Sequence, residues 1–170
     1  MEAGRHGPSP SPSPKGSAVC EPSAPRSWRI ELPHTTAAVP IARALIRTAL
    51  AEIGEAPGGT DGFTAELLTA ELVANAVEHT SGDAPLALVI ELLPGPGGYQ
   101  VEVHDHDPAP PEALTRTAPP AEPDPWQEHG RGLLLIRALS SACGHRATVH
   151  GKAVWFTLPA LPRQRGPQEP

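Results

Sequence analysis

Two polar side chains four positions apart are the first residues of this sequence that could take part in chemistry. Glu71 and Asn75 lie in a stretch with helical periodicity, so they share a helix face that flanks the apolar stripe. An amide oxygen suits a magnesium ion that keeps most of its waters and also binds phosphates. A carboxylate beside it can orient or deprotonate an attacking hydroxyl or water. The alternative is that both side chains lie on an ordinary solvated helix face. Considered alone, the pair favours this alternative.

Asp105 is the second candidate because it ends a strand in which apolar and polar residues alternate. It has the same parity as Val101 and Val103, so its side chain is expected to point toward the core. A carboxylate in such a place must find donors, because burying it unpaired is costly. The exocyclic amino group of adenine is one such donor. The alternative is a carboxylate that caps the loop after the strand.

The third candidate is the segment 129–133, which opens a predicted helix. Gly130 and Gly132 would let the backbone approach an anion, the helix N-terminus offers free N–H groups to phosphate, and Arg131 adds charge. The spacing matches neither a dinucleotide-binding fingerprint nor a Walker loop, so a flexible loop before a helix is the alternative. Thr157 lies in the last predicted strand, where a hydroxyl is more often a plain strand residue than a ligand.

The elements that must position these residues follow from the apolar periodicity of the chain. Alternation with a period of two predicts strands, and recurrence every three or four residues predicts helices. The predicted strands cover residues 28–32, 86–93, 99–105, 146–150 and 153–158, and the predicted helices cover 36–53, 61–82 and 132–143. Strands that arrive as hairpins, with helices to one side, predict an α+β two-layer sandwich. The last hairpin is expected to turn at Gly151 and Lys152.

Charge and composition argue against several classes of partner. The 170 residues carry a formal net charge of −6 without a basic cluster, which argues against binding to nucleic acid or to an anionic membrane surface. No apolar run reaches the roughly 18–20 residues of a membrane span. Cys20 and Cys143 are not expected to form a disulfide, so a soluble cytoplasmic protein is predicted. Residues 1–26 and 161–170 are expected to be disordered tails around one domain at 27–160.

Taken in order, these motifs resemble the GHKL ATPase superfamily, and in particular its stand-alone anti-sigma-factor serine/threonine kinases. Residues 71–80 look like the N box of that superfamily, 103–111 like its G1 box and 130–133 like its G2 box. The resemblance implies the Bergerat ATP-binding fold, a two-layer α/β sandwich whose mixed, mainly antiparallel sheet carries the helices on one face. The chain departs from the family at residues 105–109, where the glycines of Asp-x-Gly-x-Gly are absent.

The resemblance also implies a role for each candidate residue in a site for ATP and Mg²⁺. Glu71 would be the catalytic carboxylate and Asn75 the magnesium ligand. Asp105 would accept a hydrogen bond from the adenine amino group, and residues 107–129 would form a lid over the nucleotide. The other nucleotide-binding residues that the resemblance implies are His79, Gly130, Arg131, Gly132, Leu133 and Thr157.

The implied activity is ATP-dependent phosphorylation of a serine or threonine on a partner protein, coupled to sequestration of a sigma factor. The implied partners are a sigma factor, an anti-anti-sigma-like regulator or both, and a homodimer is left open. One alternative keeps the fold but makes the chain a nucleotide-gated binding module without kinase activity. Another is a zinc site on His104 and His106, which are predicted to share a strand face. Its further ligands would come from Asp105, Asp107, His79 or His129.

Overall fold

The chain folds into five strands and three helices within the part that the structure describes. A computed structural model describes residues 27–52, 60–94, 98–111, 114 and 131–159. In chain order the elements are β1 (Ser27–Leu32), α1 (Ala38–Glu52), α2 (Thr60–His79), β2 (Leu86–Leu92), β3 (Tyr99–Asp105), α3 (Arg131–Leu139), β4 (Ala142–Ala147) and β5 (Lys152–Leu158). The expected tails and most of the expected lid lie outside the described residues.

The five strands form one open sheet in the order β1-β2-β3-β5-β4, in which every neighbouring pair is antiparallel. β3 lies at the centre, so the residue that ends it is flanked by strands on both sides. This arrangement confirms the α+β class and the sheet with helices on one face, consistent with the GHKL ATP-binding fold. None of the described helices is long and apolar enough to cross a membrane.

Alternation along each strand separates a face covered by helices from an open face. Register pairs Leu88 with Val103 and Val103 with Val154, so these side chains lie on the same face, and all three are buried. The helices cover this face: α1 packs on α2, and α2 packs on β3, β5 and α3. The core therefore lies between the sheet and the helix layer, and residues at the edge of that layer can line a site.

An ion pair links α1 and α2. The Arg47 guanidinium donates from Nε to Oε1 of Glu66 at 2.8 Å and from Nη2 to Oε2 at 2.5 Å. These hydrogen bonds hold the pKa of Glu66 below its ordinary value. The ion pair helps to fix α2, the helix that carries the candidate residues Glu71 and Asn75.

The last helix is shorter than its apolar pattern predicts, and this part of the prediction is wrong. α3 ends at Leu139, and its last helical hydrogen bond runs from the Ser140 backbone N–H to the Ile136 carbonyl at 3.0 Å, which also accepts from the Ser140 hydroxyl at 2.6 Å. The backbone N–H of Ser141 then donates to the carbonyl of Thr157, which begins the sheet pairing. Long-range pairing with β5 therefore overrides the helical pattern of the sequence after this point.

The hairpin of β4 and β5 also differs from its prediction by a few residues. β4 begins at Ala142, and its Gly144 lies opposite Trp155, where a Cβ atom would come within 2.8 Å of the indole ring. The turn spans the residues before Lys152, closed by a hydrogen bond from Thr148 N to Gly151 O of 2.9 Å. Lys152 is consequently the first residue of β5 and not a turn residue.

Candidate functional site

Close packing of α3 against α2 brings two of the predicted motifs together. A Cβ atom on Gly132 would overlap Oε2 of Glu71 and would lie 3.3 Å from Nδ2 of Asn75. A side chain at position 132 would displace the Glu71 carboxylate, so glycine lets the first turn of α3 lie close to both side chains as they are placed. Leu133 is buried and fixes the start of α3 in the core, while Arg131 is exposed at its N-terminus. Free N–H groups at a helix N-terminus attract anions, so the arrangement suits a phosphate.

The Asn75 amide is only partly satisfied by the protein. Its Nδ2 atom is buried and has no hydrogen-bond partner among the residues that the structure describes. A buried amide without a partner is costly, so a native structure normally supplies one. The amide can also turn by 180° to present its oxygen, which is the type of ligand that Mg²⁺ prefers. The residue therefore fits the predicted role in a site that a ligand completes.

Asp105 lies on the core face at the end of β3, and both interpretations of it find support in its contacts. It is 5% exposed. Its Oδ1 atom accepts hydrogen bonds from the backbone N–H of Asp107 at 2.9 Å and from Nζ of Lys152 at 3.1 Å. The first bond caps the following loop. Neither bond engages Oδ2, and within the described part of the chain this oxygen is left for a donor from a ligand.

Two side-chain turns order the segment that lacks the glycines of the family motif. Asp105 accepts from the N–H of Asp107, and Asp107 accepts from the N–H of Ala109 at 3.0 Å. The pKa of Asp107 is below its ordinary value, mainly because of the Ala109 hydrogen bond, with smaller effects from Lys152 and the charge of His79. The two carboxylates thus fix the turn that follows β3.

The turn before β5 packs against the backbone of the segment that begins at Asp105. Gly151 is buried, and a Cβ atom there would overlap the carbonyl oxygen of Asp105 and lie 2.6 Å from Cα of His106. Sequence reasoning missed both Gly151 and Lys152, because each acts through a strand that is distant in the chain. The strand register is the signal that could have identified Lys152. When β5 begins at Lys152, one residue before the predicted start at Ala153, Lys152 lies opposite Asp105.

The remaining predicted residues differ in how the structure places them. His79 is exposed at the end of α2, near enough to Asp107 to affect its pKa. Gly130 lies outside the described residues. Thr157 pairs with Gln100 on the open face of the sheet, and its hydroxyl donates to the Ala142 carbonyl at 3.4 Å. The expectation that Thr157 supports the nucleotide site is therefore corrected, because it faces away from Asp105.

The zinc alternative loses its geometric basis in this structure. β3 ends at Asp105, so His106 does not share a strand face with His104. The Nε2 of His104 instead makes a 2.8 Å hydrogen bond with Glu102 on the open face. Within the described ranges no group of three or more His, Cys, Asp or Glu residues could hold a metal ion.

The open face of the sheet has its own ion-pair cluster around a nearly buried carboxylate. Glu102 accepts from His104 at 2.8 Å, from Arg146 at 2.6 Å and from Gln100 at 2.8 Å. These contacts, led by the His104 hydrogen bond, hold the pKa of Glu102 below its ordinary value. The cluster lies across the sheet from Asp105, so it provides a control for substitutions on the other face.

Comparison with known proteins assigns this arrangement to a family. Residues 32–158, most of the 170-residue chain, match the model of the histidine kinase-like ATPase domain. The chain belongs to this family. Membership supports an ATP-binding regulatory function. No curated protein matches the chain.

Proposed function

We propose that the chain binds ATP with Mg²⁺ in the space bounded by α2, the N-terminus of α3 and Asp105. The observation that carries this proposal is the close approach of Gly132 to Glu71 and Asn75. It places a helix N-terminus beside a carboxylate and beside an amide whose buried Nδ2 has no hydrogen-bond partner among the described residues. Family membership supports the nucleotide, and the chemistry of the Asn75 amide supports the cation.

Each part of the nucleotide has a matching group in this proposal. Asn75 holds the magnesium ion, which when bound neutralises charge on the phosphates. The first turn of α3 and Arg131 contact the phosphates. Oδ2 of Asp105 accepts from the exocyclic amino group of adenine. Gly130, Leu133 and His79 complete the binding residues.

The proposed reaction is transfer of the γ-phosphoryl group to a serine or threonine of a partner regulator. The hydroxyl oxygen attacks the γ-phosphorus, the bond to the bridging oxygen of ADP breaks, and Glu71 takes the hydroxyl proton. The proposed partners are a sigma factor, an anti-anti-sigma-like protein or both, with a homodimer left open, and the proposed location is the cytoplasm, where ATP is available. The position of Glu71 beside the phosphate-binding helix end supports this chemistry.

A nucleotide-gated binding module is the second candidate. α3 exposes Leu134, Leu135 and Leu139, which are 36%, 38% and 46% exposed. Apolar side chains on a helix that begins at the phosphate site suit a partner surface that responds to the nucleotide. In this case the output is complex formation, and ATP is bound without being turned over.

The expected result that tests nucleotide binding is a rise in melting temperature. Millimolar ATP with Mg²⁺ stabilises the chain by mass action, because it binds only the folded state, and a ligand at about 100 times its Kd contributes roughly 2.7 kcal/mol. Differential scanning fluorimetry with ATP, ADP and a pyrimidine triphosphate as the control measures the shift. No shift with either adenine nucleotide would remove the proposal.

A further inference from the structure

We propose that Lys152 is a positioning residue that holds Asp105 as a hydrogen-bond acceptor, with Oδ1 bound to the protein and Oδ2 left for the ligand. By this means Lys152 sets a preference for purine nucleotides with an amino group at position 6 over those with an oxo group. The inference rests on the proposed nucleotide site and adds to it a residue that neither the sequence motifs nor the family membership assigns.

The placement of Lys152 is unusual for a lysine. The residue is 6% exposed and lies on the core face, directly opposite Asp105 in the register of β3 and β5. Lysine is almost never fully buried unless it is paired, because an ammonium group without partners is costly to desolvate. The contacts of its head group therefore account for the burial of this lysine.

All donors of the Lys152 ammonium group have acceptors within the chain. Nζ lies 3.1 Å from Oδ1 of Asp105, 3.1 Å from the carbonyl oxygen of Asp107 and 3.3 Å from Oδ2 of Asp107. A lysine ammonium has three N–H donors, so these contacts occupy it fully. Lys152 thus has no donor left for a base and acts on the ligand only through Asp105.

The two oxygens of Asp105 are consequently unequal. Oδ1 is held by Lys152 and by the backbone N–H of Asp107, and these two bonds fix the plane of the carboxylate. The oxygens of a carboxylate accept hydrogen bonds and have none to donate. Oδ2 therefore matches the donor of a 6-amino group and opposes the lone pairs of a 6-oxo group.

Removal of the ammonium group changes what Asp105 can offer. Among the described residues the carboxylate then has only the Asp107 N–H as a partner, so its plane is no longer fixed. A carboxylate that can rotate no longer holds Oδ2 against position 6 of the base, so it discriminates less between an amino and an oxo group there. A binding site can reject a ligand analogue because that analogue leaves a polar group of the site without a hydrogen-bond partner. The rejection is lost when the polar group can reorient to accommodate the analogue. Base preference is therefore the property that depends on Lys152.

The test compares ATP with inosine triphosphate, the 6-oxo analogue, by calorimetric titration of the full chain. We expect the unsubstituted chain to prefer ATP by roughly tenfold or more. Lys152→Met should weaken ATP binding by about tenfold and bring the two nucleotides within about threefold of each other. The matched control is Arg146→Met, which removes a cation from the Glu102 carboxylate on the open face. This variant should leave the affinities for ATP and for inosine triphosphate unchanged.

Other outcomes separate this inference from the proposed function. If the unsubstituted chain binds neither nucleotide, the nucleotide site and the inference both fail. If Lys152→Met keeps the ATP preference, or binds ATP more tightly because Lys152 competes for Asp105, only the inference fails. Should Lys152→Met not fold, Lys152→Leu also lacks an N–H donor for Oδ1 of Asp105 and should show the same narrowing of preference. An unchanged preference in that variant contradicts the inference.

Discussion

Glu71→Gln is expected to lower phosphate transfer by about 100-fold or more while ATP affinity stays within a few-fold. The substitution keeps the size of the side chain and removes the base, whose contribution belongs to the transition state and not to ground-state binding. Because Glu71 packs against the first turn of α3, where phosphate is proposed to bind, loss of its charge also reduces repulsion. ATP binding by the variant can therefore become slightly tighter.

The assay for this variant is single-turnover formation of ADP by the purified chain, with slow hydrolysis as a surrogate when the partner is absent. The matched control is Glu91→Gln, which makes the same change on the open face of the sheet and should leave the rate unaltered. Parental rates in Glu71→Gln would end the assignment of catalysis to this residue. An unsubstituted chain that binds ATP and never turns it over, with its partner present, would favour the gated binding module.

Gly151→Ala is expected to destabilise the fold by about 3 kcal/mol and to weaken ATP binding. The added methyl group would meet the backbone of Asp105 and His106, at distances that include 2.7 Å to the carbonyl carbon of His106. A rotamer change cannot relieve a clash with backbone, so the segment that carries Asp105 must move. Urea unfolding measures the stability and calorimetry the affinity.

Gly144→Ala is the matched control for that prediction. It lies in the same hairpin, but the nearest atoms belong to the side chain of Trp155 on the open face. A ring can shift where a backbone cannot, so a smaller loss of stability and an unchanged ATP affinity are expected. Equal losses of stability in the two variants, with unchanged affinity in both, would contradict the supporting role of Gly151.

Local pattern in the sequence predicts the elements that carry the site. The alternation at Tyr99–Asp105 places Asp105 on the core face, and the spacing of Glu71 and Asn75 places both on the side of α2 that meets α3. These features depend on parity and helical period, which are properties of short segments. Their roles in catalysis and binding stay predictions.

The features that sequence reasoning missed depend on contacts between distant segments. Lys152 is buried only because β5 pairs with β3, and α3 stops at Leu139 because the chain turns back toward β5. The prediction for Thr157 does not involve distant segments. In an alternating strand, Thr157 lies on the opposite face of the sheet from its apolar neighbours Phe156 and Leu158. The family pattern assigns this residue to the site, whereas the alternation of its own strand places it on the other face.

The dependence of ATP binding on magnesium tests the central claim most directly. If Asn75 holds the cation that joins the phosphates to α2, chelation of Mg²⁺ should weaken ATP binding to the unsubstituted chain by roughly tenfold or more. Asn75→Ala should bind ATP in the presence of Mg²⁺ as weakly as the parent does without it, and should not respond to chelation. Thr157→Val, on the opposite face of the sheet, should behave as the parent. ATP binding that is equally tight after chelation, or a Mg²⁺ dependence that survives in Asn75→Ala, would contradict the account.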